Sequence, residues 1–455
     1  MSFGITQTLP LVAHTKADSI VAWCKSEPVT LQRFLNDVSQ LAAQLPPSQH
    51  ILNVCSDRYH FSVGLAAAII KGKVSLLPAS HTPDMASQLK VYAPDVFCLT
   101  DNESCTLALP ILQYPKQIAP SLKKLEVPNI KVDQLVATVF TSGSTGTPLP
   151  HNKTWGSLVT CVKTEAERIG LSNLTPSTTL IATVPPQHMY GFESSVLMPW
   201  QSGHAISNAH PFYPLDVCEA IAAAPKPRLL ISTPVHLKAL VDAELPIPEM
   251  AGILSATAPL SNKLAATIEE ICKASLIEIY GSTETGQIAS RRTTQTKKWQ
   301  LFDDVTLKKV DNYVIAEGGY INDPTPINDD VELISTTQFL LHGRLSDIIN
   351  IAGKRHSLAS LNHLLTSIPE VIDGTFFMPD EDKVKDVTRL DAFVVCNPEI
   401  DAKYILSALR QKVDPVFIPR PLIFVDKLPR NTTGKLPRPL LQALLHDKTN
   451  VRKSA

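Results

Sequence analysis

The feature that most constrains the fold is an alternation of short apolar runs with helical patterns along the N-terminal part of the chain. The apolar runs have the composition of buried strands and lie at 52–55, 135–140, 180–184, 229–232 and 276–280. Apolar residues recur at helical spacing in the segments 31–45, 214–223 and 262–273. The alternation predicts an α/β fold with layered, largely parallel sheets.

Beyond about residue 303 the pattern changes to hairpin-like stretches, 306–317 and 331–342, joined by polar turns. Strand and helix patterns resume after Gly343. We therefore expect a large domain at 1–343 that ends in a β-rich subdomain, a boundary at 344–347 and a small α+β domain at 348–455. A chain of 455 residues is also longer than one hydrophobic core normally supports.

Composition excludes several classes of protein. Forty-two basic and 43 acidic residues leave a net charge of −1, which gives no electrostatic reason to expect nucleic acid or an anionic membrane as partner. The eight cysteines form no CxxC pair, and we expect them to be buried thiols in a reducing compartment. Because no apolar run approaches the roughly 20 residues that span a bilayer, and no signal peptide pattern is evident, the sequence predicts a soluble, cytoplasmic protein.

A loop of glycine and hydroxyl residues directly follows the apolar run 135–140. Its sequence is Thr141-Ser142-Gly143-Ser144-Thr145-Gly146-Thr147-Pro148. Glycine permits tight turns that aim successive N–H groups at one point, and the hydroxyl groups are further donors for phosphate oxygens. The loop is interpreted as a phosphate cradle, with a surface linker of small residues as the alternative. It is not a P-loop, because no Gly-Lys-Ser/Thr sequence ends it.

A second glycine turn follows the apolar run 276–280. It reads Ile279-Tyr280-Gly281-Ser282-Thr283-Glu284-Thr285-Gly286. The Tyr280 ring could stack on a purine, the Thr283 hydroxyl could reach a phosphate, and the Glu284 carboxylate suits Mg²⁺. In the alternative interpretation, Tyr280 is a core aromatic residue and Glu284 is a solvated turn residue.

Two further segments carry basic residues on glycine-containing loops. The first is Gly343-Arg344-Leu345-Ser346-Asp347, followed after a strand pattern by Gly353-Lys354-Arg355. The second is Leu428-Pro429-Arg430-Asn431-Thr432-Thr433-Gly434-Lys435-Leu436-Pro437-Arg438. Flanking prolines would hold Lys435 at the surface, where its ammonium can be delivered to an anion. The alternative is a solvated basic loop.

In this order and spacing, the four segments resemble the hallmark motifs of the adenylate-forming superfamily, which includes acyl-CoA synthetases, adenylation domains of peptide synthetases and luciferases. The resemblance spans residues 141–438. It implies an AMP-forming acid–thiol ligase that uses ATP and Mg²⁺ to make an acyl-adenylate and then transfers the acyl group to a thiol. It also implies a small C-terminal domain that rotates between these two half-reactions.

The resemblance assigns roles to residues of the two glycine motifs. The loop 141–146 would hold the β- and γ-phosphates, Thr283 would contact the α-phosphate, and Glu284 would help to bind Mg²⁺. Tyr280 and Gly281 would lie beside the nucleotide. Lys435 would bridge the substrate carboxylate and the α-phosphate, which makes it the first candidate for a catalytic residue.

Roles also follow for residues of the third motif. The aspartate that holds the ribose hydroxyls falls on Asp329, with Asp330 as the near rival, and Arg344 would support the same region. A carboxylate suits this role because it accepts from both hydroxyls of a diol. Ser346 stands at the position of the hinge, and Gly353 stands where the thiol arm passes close to the backbone.

The chain departs from the family pattern at two places. Leu149 follows Pro148 where relatives carry a lysine, so pyrophosphate is held less tightly or by Lys153. The segment Ala256-Thr257-Ala258-Pro259 replaces a Gly-Gly-Ala-Pro turn beside the adenine and acyl pocket. The added Cβ atoms should narrow the floor of that pocket and disfavour the bulkiest acyl groups.

The segment 184–192 matches the motif that lines the acyl site. Within it, His188 either orients or gates the carboxylate or is a packed core residue. We expect the acyl site to be lined by Met189, Tyr190, Phe192 and Trp200. Such a lining would suit an aromatic acid.

The sequence from Thr141 to Trp155 also looks similar to acid:carrier-protein ligases of aryl polyene and xanthomonadin-type pigment pathways. This similarity implies a hydroxybenzoate or hydroxycinnamate as substrate, and an acyl carrier protein rather than coenzyme A as acceptor. One alternative is a short- or medium-chain fatty acyl-CoA synthetase. Another is a non-catalytic scaffold that binds a nucleotide or a carrier protein, and the joint retention of Glu284, Asp329, Arg344 and Lys435 speaks against it.

Overall fold

The computed structural model describes residues 7–78, 80–116, 126–142, 148–171, 174, 177–311, 313–344, 348–351, 354–379, 389–431 and 434–453. The chain forms two compact units. The first unit contains residues 1–308 and 316–325, and the second contains 309–315 and 326–455. The hinge expected at 344–347 stays a prediction, since 345–347, with Ser346, lie outside the described residues.

The first unit holds most of the strands and helices. Its strands are β1 (Thr8–Pro10), β2 (Ile20–Cys24), β3 (Glu27–Thr30), β4 (His50–Asn53), β5 (Val74–Leu77), β6 (Phe97–Thr100), β7 (Ile111–Gln113), β8 (Asn129–Lys131), β9 (Leu135–Ser142), β10 (Pro148–Thr154), β11 (Thr179–Ala182), β12 (Ala205–Ser207), β13 (Arg228–Ser232), β14 (Gly252–Ser255), β15 (Leu276–Ser282), β16 (Gly286–Arg291) and β17 (Trp299–Leu301). Its helices are α1 (Leu31–Gln44), α2 (Arg58–Ile70), α3 (Pro83–Tyr92), α4 (Trp155–Arg168), α5 (Met189–Phe192), α6 (Met198–Ser202), α7 (Pro214–Ala223), α8 (Pro234–Asp242) and α9 (Asn262–Cys272). A π-helical turn, Glu193–Leu197, connects α5 to α6.

Two sheets build the layers of this unit. The first has the order β10-β9-β5-β4-β6-β7, and all of its neighbouring strands are parallel except the antiparallel pair β9 and β10. The second has, within this unit, the order β17-β16-β15-β14-β13-β11-β12-β2-β3. Its strands from β15 to β2 are parallel. The two glycine motifs therefore follow the carboxyl ends of parallel strands, which is where ligand sites of α/β sheets usually lie.

Local sequence explains where the helices begin. Side chains of Thr30, Thr154 and Ser261 accept hydrogen bonds from main-chain N–H groups at the starts of α1, α4 and α9. Helix α2 is buried along nearly its whole length. It therefore has no polar face, and its sequence shows no helical stripe that periodicity could detect.

A three-stranded sheet, β18 (Val305–Val310), β19 (Tyr313–Gly318) and β20 (Ile321–Ile327), has its residues divided between the two units. The second unit continues with the strands β21 (Asp329–Leu333), β22 (Gln338–Arg344), β23 (Ile348–Ile351), β24 (Lys354–Ser357), β25 (Val371–Phe377), β26 (Asp391–Cys396) and β27 (Leu422–Phe424). Its helices are α10 (Leu358–Thr366), α11 (Ala402–Arg410) and α12 (Arg438–Lys453), with a 3₁₀ turn at Pro415–Phe417. Leu361, Leu365, Ile405 and Leu409 form the centre of its core.

The predicted fold class is confirmed, with a large, sheet-rich N-terminal part of mixed α/β structure. The helix predicted at 214–223 coincides with α7. The prediction that all cysteines are buried is wrong for Cys24, Cys105 and Cys396, which are partly exposed. In the ranges that the structure describes, no helix is long and apolar enough to cross a membrane.

Candidate active site

The predicted phosphate loop begins at the end of β9. Thr141 and Ser142 are the last residues of that strand, and the rest of the loop, with Gly143, Ser144, Thr145 and Gly146, lies outside the described residues. Strand β10 starts at Pro148, and the main chain pairs Pro148 with Ser142 and Leu149 with Thr141. The segment 143–147 therefore connects two strand ends that are hydrogen-bonded to each other.

His151 connects this hairpin to the second glycine turn. Its Nε2 atom lies 3.0 Å from Oγ1 of Thr141 and 3.7 Å from Oε1 of Glu284. Burial lowers the pKa of His151, although the nearby Glu284 carboxylate opposes this shift. The structure thus brings together two predicted site residues, Thr141 and Glu284, through a residue to which sequence reasoning gave no role of this kind. Its position could have been found from the hairpin, because His151 is the diagonal neighbour of Thr141, two residues beyond Leu149.

The second glycine turn connects β15 to β16 and presents Thr283 and Glu284, both half-buried, at its tip. The N–H of Ser282 donates to Oγ1 of Thr285, and the N–H of Thr285 donates to Oγ of Ser282, each at 3.2 Å. A Cβ atom on Gly281 would lie 2.2 Å from a carbonyl oxygen of β16, so only glycine fits there. These contacts fix the backbone that carries the Glu284 carboxylate.

Tyr280 stands at one wall of this region. Its ring is partly exposed and lies 5.5 Å from the ring of Trp299, in a tilted arrangement. The guanidinium of Arg291 lies 4.3 Å from the centre of the Trp299 ring, on the scale of a cation–π contact. The partly exposed Tyr280 ring is therefore supported by a packed aromatic neighbour, as a stacking surface for a purine would require.

The turn that contains Ala256, Thr257 and Ala258 follows β14 and is partly exposed. Thr257 has a φ of +79°, in the left-handed region that β-branched residues rarely adopt. The buried carboxylate of Glu278, on β15, accepts from the N–H of Leu260 at 3.2 Å. This bond attaches the 256–259 turn to the strand that carries Tyr280, and so brings two predicted parts of the pocket together.

The predicted acyl motif lies at the start of α5. The side chain of His188 accepts from the N–H of Tyr190 at 3.3 Å and caps this short helix, while its role toward a carboxylate stays a prediction. The expectation that Phe192 and Trp200 line the acyl pocket is wrong. Both are fully buried, and Trp200 packs edge-on against Phe34 with 5.5 Å between ring centres.

A buried polar cluster, which sequence reasoning missed, lies beneath the second glycine turn. We define it as Lys153, Cys161, Glu165, Glu193, Ser194 and Gln287. Burial raises the pKa of Glu165 to about 8 and that of Glu193 to about 7, although Lys153 opposes the shift of Glu193. The ammonium of Lys153 donates to the main-chain oxygen of Glu284 at 3.1 Å. That contact places the Lys153 ammonium at the second glycine turn. Its expected role toward pyrophosphate stays a prediction, since 143–147 lie outside the described residues.

Two predicted residues of the second unit are direct partners. Asp329 is the first residue of β21 and Arg344 is the last residue of β22, and the antiparallel register pairs them. Asp330, the near rival, is paired with Gly343. The structure therefore brings together the two residues that were assigned to the ribose region, on one pair of strand ends.

The loop that carries Lys435 is held to the body of the second unit. Asn431 accepts from the N–H of Lys435 through its side chain at 2.8 Å and donates its own N–H to the Lys435 oxygen at 2.9 Å. Arg430 makes two bonds of 2.9 and 2.7 Å to Asp373 and donates to the oxygen of Gly434. The Lys435 side chain is exposed. Gly353, the predicted residue of the thiol path, lies outside the described residues.

The donor set near Glu284 fits Mg²⁺. In the described ranges, no group of three or more His, Cys, Asp or Glu side chains could by itself hold a metal ion. Mg²⁺ bound to a nucleotide needs only one or two carboxylates in addition to the phosphates. The half-exposed carboxylate of Glu284, close to the hydroxyl-rich loop end at Thr141, supplies such a ligand.

The chain belongs to the AMP-binding enzyme family, whose model matches residues 39–316. It is an AMP-forming acid–thiol ligase, which activates a small carboxylic acid with ATP and Mg²⁺ and then forms a thioester. This confirms the class of enzyme and the ATP dependence that the sequence motifs predicted.

Several relatives are similar over much of the chain. A 4-coumarate–CoA ligase from Halorhodospira halophila is 28% identical over 66% of this chain and 74% of its own length. The enzyme of the same name from Rhodobacter capsulatus is 28% identical over 58% of this chain and 65% of its own length. The acyl-coenzyme A synthetase ACSM2 of Rattus norvegicus is also 28% identical, over 68% of this chain and 61% of its own length.

Solved structures share the fold at low sequence identity. The o-succinylbenzoate CoA synthetase of Bacillus subtilis, in complex with its acyl-adenylate intermediate, has a TM-score of 0.79 at 18% identity and covers 93% of this chain and 95% of its own. An anthranilate CoA ligase in complex with anthranoyl-AMP has a TM-score of 0.78 at 15% identity and covers 96% and 98%. These likenesses confirm the fold.

Proposed function

We propose that this enzyme activates an aryl acid of the hydroxybenzoate or hydroxycinnamate type and loads it onto an acyl carrier protein. The observation that carries the activation step is the convergence of Thr141, His151 and Glu284 at one place in the first unit. Segments far apart in the sequence meet there, and their hydroxyl and carboxylate groups suit a triphosphate with its metal ion.

The first half-reaction joins two anions. A carboxylate oxygen of the acid forms a bond to the α-phosphorus of ATP, and the bond to the leaving pyrophosphate breaks. The loop 141–146 holds the β- and γ-phosphates, Thr283 contacts the α-phosphate, and Lys435 stabilises the charge that moves between carboxylate and phosphate. Glu284 is a ligand of Mg²⁺, which neutralises phosphate charge when it is bound.

The second half-reaction transfers the acyl group. A thiolate attacks the acyl carbon of the adenylate, and AMP leaves with the electron pair of the broken C–O bond. The pairing of Asp329 with Arg344 supports a common role of these two residues at the ribose. The boundary at 344–347, with Ser346 as the hinge and Gly353 on the thiol path, belongs to this proposal, as does a catalytic role of Lys435 from the second unit.

Two observations support an aryl substrate. Relatives named 4-coumarate–CoA ligase match more than half of the chain. Thr257 also places a side chain in the turn where the family pattern has glycine, which favours a flat acid over a bulky one. The similarity of the segment 141–155 to acid:carrier-protein ligases supports an acyl carrier protein as the acceptor.

A pyrophosphate-release assay with a panel of acids tests this proposal. We expect turnover with hydroxybenzoate or 4-coumarate and little with saturated fatty acids of short or medium chain. Turnover with fatty acids alone would instead support a fatty acyl-CoA synthetase, and no turnover with any acid would support a non-catalytic scaffold. Comparing kcat/KM for coenzyme A with that for a carrier protein bearing its pantetheine arm then identifies the acceptor.

A further inference from the structure

The β15–β16 turn that carries Glu284 rests on a buried lysine. Lys153, on β10, is only 8% exposed, and its ammonium donates to the main-chain oxygen of Glu284 at 3.1 Å. Burying an ammonium is costly unless it is hydrogen-bonded and balanced by an opposite charge. A lysine that remains buried at the far side of a functional turn therefore needs a second partner nearby.

That partner is the carboxyl group of Glu193, which is 2% exposed and belongs to the π-helical turn after α5. A Cβ atom on Gly286 would lie 3.2 Å from Oε1 of Glu193, so the carboxyl group sits directly under the end of the same turn. Burial lowers the pKa of the Lys153 ammonium, and the nearby carboxyl group of Glu193 opposes this shift. π-Helical turns occur frequently at functional sites, where they redirect a side chain.

Further contacts hold Glu193 in place. Sγ of Cys161 lies 3.5 Å from Oε1 of Glu193 and 3.8 Å from the oxygen of Gln287. The hydroxyl of Tyr320 donates to the same Gln287 oxygen. The floor of the turn is thus built from α4, β10, β16 and the π-helical turn, so that a displacement of Lys153 or Glu193 would be transmitted to the backbone of Glu284.

We propose that Lys153, balanced by Glu193, is a positioning residue that sets the orientation of the Glu284 carboxylate toward Mg²⁺. It acts through the main-chain carbonyl of Glu284 and does not contact phosphate or acid. This inference rests on the proposed role of Glu284 as metal ligand. This role differs from the one that we expected from the sequence, in which Lys153 holds pyrophosphate in place of the lysine missing at Leu149.

Calorimetric titration of the full-length protein with ATP, in excess Mg²⁺ and in a chelator, tests the inference without any turnover. Changing a residue that orients a metal ligand commonly weakens metal binding by about 10- to 100-fold. Mg²⁺ increases the affinity for ATP, and we expect this increase to be at least about 10-fold smaller in Lys153→Met than in the wild type. In the chelator, the two proteins should bind ATP with similar affinity. A lysine that acted only by its positive charge would do the opposite, since its removal would strengthen cation binding.

A double-mutant cycle makes the test specific. In a Glu284→Gln background, Lys153→Met should cause no further loss of the Mg²⁺-dependent gain. An equal loss in both backgrounds, or an unchanged gain in the single variant, would overturn the positioning role. If Glu284→Gln alone leaves the gain intact, Glu284 is not the metal ligand and both roles fall, whereas acid activation is judged separately by pyrophosphate release.

Two further variants protect the test against a folding defect. Glu193→Gln keeps the size of the side chain and removes the charge that balances Lys153, and we expect it to reduce the Mg²⁺-dependent gain as Lys153→Met does; an unchanged gain in folded Glu193→Gln would contradict the proposal. Lys238→Met is the control, because the exposed Lys238 on α8 pairs with Asp242 of the same helix. Thermal unfolding identifies any variant that has lost its fold.

Discussion

Nε2 of His151 lies 3.7 Å from Oε1 of Glu284, and this contact connects the β9–β10 hairpin of one sheet to the β15–β16 turn of the other. The same nitrogen atom contacts Thr141 at 3.0 Å. A single side chain therefore contacts both Thr141, the residue at which the proposed phosphate loop begins, and the proposed metal ligand. Loss of that side chain should affect nucleotide handling more than stability, because the ring is at the edge of the core and not within it.

We predict that His151→Ala lowers kcat/KM for ATP in pyrophosphate release by about 10-fold, the loss expected for one hydrogen bond in a functional site. His151→Gln should recover most of the activity, since a glutamine amide can reach the place of Nε2. His50→Ala is the matched control, because His50 contacts the carboxylate of Asp95 at the surface. An Ala variant as active as the wild type would contradict the role given to His151.

We predict that Thr257 lowers the stability of the folded protein, although its side chain shapes the proposed acyl pocket. A β-branched residue at a φ of +79° is strained, and glycine there should raise the free energy of unfolding by about 1 kcal/mol after its own entropy cost. Urea unfolding of Thr257→Gly measures this. Ala256→Gly, at a neighbouring residue without a positive φ, should instead lower stability by about 0.5–1 kcal/mol.

The same Thr257→Gly variant should accept bulkier acids. Removal of the side chain widens the turn beside the proposed acyl pocket, so kcat/KM for substituted aryl acids should rise relative to hydroxybenzoate. Unchanged selectivity would show that the side chain of Thr257 does not face the acid.

Glu165 makes the stability depend on pH. Burial raises its pKa from 4.5 to about 8, so between these values the folded state keeps a proton that the unfolded state has lost, and stability falls as pH rises. Glu165→Gln removes this dependence. At pH 8 the variant should be more stable than the wild type by about 1–3 kcal/mol, and at pH 5 the difference should be small.

Urea unfolding at the two pH values measures this difference. Glu167→Gln, on the exposed face of the same helix, should behave like the wild type at both. A Glu165→Gln variant that is less stable than the wild type at pH 8 would show that the carboxylate is ionised and paired in the folded protein.

The sequence was sufficient for features that depend on local pattern. Apolar runs and turn glycines predicted the strands β9 and β15 and the turn that follows β15, and helix α7 was predicted with its bounds. The spacing from the Gly343-Arg344 motif selected Asp329, and the strand register pairs this residue with Arg344. In these places a single element, or one hairpin, determines the result.

Features that depend on packing between distant elements were not accessible in this way. The sequence offered Lys153 as a cation for pyrophosphate and did not show that it is buried, because only the assembled sheets place Glu193 and the Glu284 carbonyl beside it. Likewise Phe192 and Trp200 looked like pocket residues, although they pack in the core. Composition cannot distinguish an aromatic side chain that faces a ligand from one that faces other side chains.

The central claim is that the enzyme makes an aryl-adenylate and that Lys435 drives this step. A single-turnover reaction with ATP, Mg²⁺ and hydroxybenzoate, quenched in acid and analysed by mass spectrometry, measures the adenylate directly. We predict adenylate with the wild type and with Lys427→Met, an exposed lysine nearby. With Lys435→Met the rate should fall by about 100-fold or more while ATP still binds. Adenylate formed by Lys435→Met at the wild-type rate would contradict the account.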